Sequence, residues 1–101
     1  MVDPQSREAR VDCVGKHVYQ VVGGYGSIDW LPAVPRTERV RVRDYTCDCR
    51  PIVYELCQAG GLRFIRRISR LNGRLVVEES RWSTAAVIDT LWGELLRGEA
   101  R

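Results

Sequence analysis

The sequence predicts an α+β fold: an antiparallel β-meander of about four or five strands, with one C-terminal amphipathic helix packed on one face. Three observations predict it. Asn72-Gly73 stands between two apolar-rich runs, the strongest short-range signal for a β-hairpin. Val40 and Val42 alternate with Arg39, Arg41 and Arg43, at the two-residue period of a strand. Ala85, Ile88, Leu91, Trp92, Leu95 and Leu96 recur at three- and four-residue spacing, which draws one apolar stripe along a helix.

Taken in chain order, residues 1–12 are short of large apolar side chains and read as a mobile N-terminal arm, leaving 13–101 as a single small domain. Val14 to Val22, with Val18, Tyr19, Val21 and Val22, has strand composition. Gly23-Gly24-Tyr25-Gly26-Ser27 breaks that strand; no Lys-Ser or Lys-Thr pair follows, so the glycines read as a turn and not as a P-loop. Trp30 to Pro35 carries Pro32 and Pro35 and reads as an extended linker with PxxP spacing. Thr37 to Thr46 and Ile52 to Gln58 follow as strands. Leu62 to Leu71 and Arg74 to Arg81 form the hairpin arms.

A type I′ turn at Asn72-Gly73 sets the register. Leu71 then faces Arg74, Ile68 faces Val77, Arg67 faces Glu78 and Arg66 faces Glu79. Each such cross-strand pair contributes roughly 0.2–1 kcal/mol. The same register gathers Leu62, Phe64, Ile68, Leu75 and Val77 on one face, where the helix is expected. Ile65, Val76 and Trp82 lie on the other, among arginines. A helix over Leu62 to Asn72 would instead make a helix-turn-helix with Ile52 to Gln58, but it sets Arg66 and Arg67 where an apolar core residue belongs. The C-terminal helix takes Ser83 or Thr84 as N-cap and Gly98 as its stop. Gly93 weakens it by roughly 1 kcal/mol relative to Ala and suggests a close approach to the sheet.

The chain has 101 residues and a formal net charge of +3, with 45% hydrophobic and 29% charged residues. That excludes a collagen, a wholly disordered chain and a multi-domain enzyme. No apolar run approaches the roughly 20 residues of a membrane helix. Met1 to Arg10 has no apolar signal region, so a cytoplasmic location with reduced thiols is expected.

Catalytic residues are not expected. His17 is the one histidine, so any Cys-His or Ser-His pair must use it. Glu78 and Glu79 are adjacent on a strand and point to opposite faces, so they cannot act on one substrate atom. The candidate metal ligands are Cys47, Cys49, Cys57 and His17, with Cys13 an alternative fourth donor; together they would make a tetrahedral zinc site, the one cofactor the sequence suggests. The candidate nucleic-acid contacts are the hairpin arginines Arg63, Arg67, Arg70 and Arg74.

Over Ile52 to Arg97 the order strand, Gly-Gly, Arg-rich strand, Asn-Gly, strand, aromatic, Ser/Thr, helix resembles the layout of the AP2-like and integrase arm-type DNA-binding domains. That resemblance implies a sheet laid in the DNA major groove. The expected function is a small cytoplasmic, non-catalytic binding or regulatory module acting through protein–protein contact. The alternatives are a sheet-first DNA binder and a zinc-stabilised module.

Overall fold

The computed structural model describes residues 15–33 and 39–101. The strands are β1 (Leu31–Pro32), β2 (Arg41–Tyr45), β3 (Ile52–Ala59), β4 (Leu62–Leu71) and β5 (Arg74–Glu79), followed by the helix α1 (Ala85–Leu96). They form one antiparallel sheet in the order β1-β5-β4-β3-β2. β2 to β5 are the expected meander. β1 crosses to the far edge and pairs with β5, with Pro32 on the outermost strand, where a missing N–H costs no ladder bond. Among the described residues no helix is long and apolar enough to cross a membrane.

The hairpin forms as expected. Asn72 and Gly73 take φ values of 52° and 73°, the paired positive angles of a type I′ turn. Leu71 faces Arg74, Ile68 faces Val77 and Arg67 faces Glu78. The Arg67 guanidinium grips Glu78 through Nε at 3.0 Å and Nη2 at 2.5 Å.

The helix lies on the opposite face from the one expected. Its buried residues Ile88, Trp92 and Leu95 join Tyr54, Leu56 and Ile65 in the main core. β3 decides this: Leu56 pairs with Ile65 and Tyr54 with Arg67, so the large apolar side chains of β3 share the Ile65 face. Phe64 lies on the other face, in a second cluster with Cys57 and Ala59 that Val40 and Trp82 cover. Trp82 reaches that face through a bulge. Ser80 donates to the Ile65 carbonyl, whereas Ser83 exchanges both backbone bonds with Arg63, so two residues on one strand span the place of Phe64 alone on the other. The extra residue turns the Trp82 indole onto Phe64, with ring centroids 4.4 Å apart and planes 5° from parallel.

The strand expected over Val14 to Val22 does not form. Val14 lies outside the described residues, and 17–22 is irregular. Its backbone bonds the end of the helix and the chain after it rather than a sheet strand: Tyr19 N–H donates to Leu96 O, Val22 N–H to Gly98 O and Gly26 N–H to Glu99 O. The linker expected over Trp30 to Pro35 supplies β1 in its described part. Residues 34–35, residues 37–38 of the next strand and the arm 1–12 lie outside the described residues.

Thr84 is the N-cap, its hydroxyl accepting from Val87 N–H at 3.4 Å. At the other end Gly98 N–H bonds Leu95 O and Glu99 N–H bonds Glu94 O, a Schellman closure. Gly93 does not meet the sheet: the nearest group to a Cβ there is the Arg97 guanidinium, 3.1 Å away.

Candidate metal centre

The loop between β2 and β3 starts from a bulge in β2. Val42 pairs with Cys57, but Asp44 pairs with Leu56, so Arg43 is the inserted residue. The insertion moves Asp44 to the helix side, where it accepts from Trp92 Nε1 at 3.0 Å and from Lys16 Nζ at 2.5 Å. Burial pushes the Asp44 carboxyl up, but the hydrogen bonds from Lys16, Trp92 and the Tyr45 amide outweigh it and hold the group below its ordinary value.

Beyond the bulge, Thr46 closes the loop on Tyr54. Thr46 N–H donates to Tyr54 O, and Tyr54 N–H donates back to Thr46 Oγ1, each at 2.9 Å. Residues 48–50 turn before Pro51 feeds β3. Cys47 is buried and Cys49 exposed.

The N-terminal segment is pressed against this loop. Cys47 N–H donates to Lys16 O at 2.7 Å. A Cβ on Gly15 would stand 2.9 Å from the Cys47 nitrogen, so only glycine lets the two backbones come this close. The approach brings His17 Nε2 to 3.1 Å from Cys49 Sγ. The donor atoms of His17, Cys47 and Cys49 all lie within 4.8 Å of one another. Around one zinc ion, with bonds of about 2.0–2.3 Å, tetrahedral ligand atoms stand roughly 3.3–3.8 Å apart. The three donors are therefore at a separation one metal can close. Imidazole nitrogen and thiolate sulfur are the donor types zinc selects.

The same contact is also the spacing of a Cys-His pair, and Cys47 within the same radius adds a third donor to it.

Of the predicted ligands, the structure brings His17, Cys47 and Cys49 together and separates Cys57. Strand alternation sends Cys57 to the Phe64 face, fully buried, and burial pushes its thiol up to about 11, so at neutral pH it is a protonated hydrophobe. Pro51 leads straight into β3 rather than folding Cys57 back. Cys13 lies outside the described residues, four positions before His17.

The hairpin arginines do not form one stripe. Arg63 and Arg67 stand on the helix side. Arg63 donates to Asp89 of α1 at 2.6 Å and to Gln58 at 3.2 Å. Arg67 is held by Glu78 and lies 4.5 Å over the Trp30 ring. Arg74 pairs with Leu71 on that same side beyond the helix, while Arg70 belongs to the opposite face beside Ile68. Sequence reasoning missed Gly15 as the residue that seats His17; the signal was a glycine between Cys13 and His17. Compared with protein-family models, curated proteins and solved structures, the chain matches none of them.

Proposed function

We propose that this chain is a zinc-stabilised, non-catalytic binding module in which Cys13, His17, Cys47 and Cys49 hold one zinc ion. The observation that carries the reading is the convergence of three nitrogen and sulfur donors within 4.8 Å, from two segments far apart in sequence. Cys13 completes the set because it is the one remaining cysteine once Cys57 is committed to the second core, and because only three residues separate it from His17. Four protein ligands leave no coordination position for water or substrate, so the centre is structural. It ties the N-terminal segment to the β2–β3 loop, and binding is the role left to the rest of the surface.

Metal analysis tests this directly. Protein purified from zinc-containing medium should carry one zinc per chain, and cobalt exchanged into it should show the absorption of a tetrahedral thiolate site. Cys13→Ser and Cys49→Ser should each weaken metal retention, whereas Cys57→Ser should leave the stoichiometry unchanged. A metal-free preparation that takes up neither ion, or metal loss in Cys57→Ser alone, would refute the assignment.

A further inference from the structure

Beside the metal centre the surface opens into a recess of about 410 Å³, within the range of small-ligand sites. Its floor is apolar: Val18 and Val21 from the N-terminal segment, Ile52 and Tyr54 from β3. Four cations also line it, Lys16, Arg50, Arg67 and Arg101, and among the described residues no acidic side chain does. Two of these charges are spent elsewhere, Lys16 on Asp44 and Arg67 on Glu78. The other two are not. Arg50 has no ion pair among the described residues, and Arg101 gives Nη2 to the Tyr19 carbonyl while its buried Nε has no hydrogen-bond partner.

From this arrangement we infer that the recess binds a small amphipathic monoanion, with its apolar body on Val18, Val21, Ile52 and Tyr54 and its anionic head between Arg50 and Arg101. Two guanidiniums without an ion pair among the described residues set the sign. A zinc ion with three thiolates and one imidazole would carry a net charge of −1, so the wall as a whole favours a single negative charge. Without metal, the guanidiniums of Arg50 and Arg101 alone keep the same sign. Guanidinium suits the head because it donates in pairs to carboxylate or phosphate oxygens. A buried Nε without a partner is the kind of group that a bound anion satisfies.

The test compares three probes with one apolar body and different heads: octanoate, octanol and octylamine. Each is titrated into the purified protein by calorimetry, with amide shifts followed by NMR and metal content measured on the same sample. Octanoate should bind and shift Val18, Val21, Ile52 and Tyr54. Octanol should bind about tenfold more weakly for want of the charge-assisted bonds, and octylamine more weakly still. Arg50→Ala, a change at an exposed position, should weaken octanoate about tenfold and leave octanol unaltered. Equal binding of all three, no binding of octanoate, or an octanoate affinity indifferent to Arg50→Ala would overturn the inference. The zinc content of the sample reports separately on the metal centre, so the two readings fail independently.

Discussion

Asp44 owes its position to a single inserted residue. Without the bulge at Arg43, strand alternation would leave Asp44 on the Val42 face, away from Trp92. With it, one carboxylate meets the indole N–H of a buried helix residue and the ammonium of Lys16. Its folded pKa lies below the ordinary value, so the sign of the linkage follows. Ionised Asp44 stabilises the fold above the unfolded-state pKa of about 3.9, and that contribution is lost as pH falls through the lower folded value. Because the group is still partly solvent-accessible, the effect is modest. Asp44→Asn keeps an acceptor for Trp92 and loses the charge. The stability gap between wild type and this variant, from denaturant melts, should be flat above about pH 5 and close below about pH 4. A gap that stays constant through the acid range would show that the charge contributes nothing.

Two glycines of the last helix should respond in opposite ways. Gly93 has helical geometry, and its nearest neighbour is the far end of the flexible Arg97 side chain. Gly93→Ala should therefore stabilise by up to about 1 kcal/mol, the helix-propensity difference. Gly98 has φ of +79°, and a Cβ there would stand 2.2 Å from the Gln20 carbonyl oxygen, so Gly98→Ala strains the turn and drives the N-terminal segment away from the helix end. Thermal melts should show a rise for the first and a larger fall for the second; a fall for both would mean that Gly93 is packed more tightly than its surroundings indicate. The same contrast explains what sequence reasoning reached. The hairpin was readable because Asn72-Gly73 and the Arg67–Glu78 match are local and act together. The face the helix covers was not, because Phe64 and Ile65 are both fully buried and equally apolar. The choice between them rests on the partners in β3 and on a bulge that carries Trp82 across. Of the metal set, Cys47 and Cys49 were readable as neighbours. The exclusion of Cys57 needed the phase of β3 relative to the helix.

The described residues pack as a sheet–helix core with an N-terminal segment along its border, and the candidate metal centre lies between the two. β3, β4 and α1 bury their side chains in one core made of their own residues Tyr54, Leu56, Ile65, Ile88, Trp92 and Leu95. Residues 16–26 mostly border that core: Val18 packs against it in part, while Tyr19, Val21, Val22 and Tyr25 are exposed. Backbone bonds hold the segment at both ends, through Lys16 O to Cys47 N–H and through Tyr19, Val22 and Gly26 to the helix end and the chain after it, with the Lys16–Asp44 pair and the Arg101 bond to Tyr19 O beside them. A zinc ion on His17, Cys47 and Cys49 would clamp the first of these ends, and by closing a long loop it would stabilise chiefly against local opening. Chelation should then act locally. In hydrogen exchange with and without a zinc chelator, the amides of Tyr19, Val22 and Gly26 should lose protection. So should that of Arg101, which donates to Gly26 O. The amides of Ile65 and Ser80, bonded within the β4–β5 ladder and its continuation, should keep theirs. Loss at all of these positions together would make the metal a condition of the whole fold. Unchanged exchange at Tyr19 and Val22 would show that the N-terminal segment is held by its backbone bonds alone.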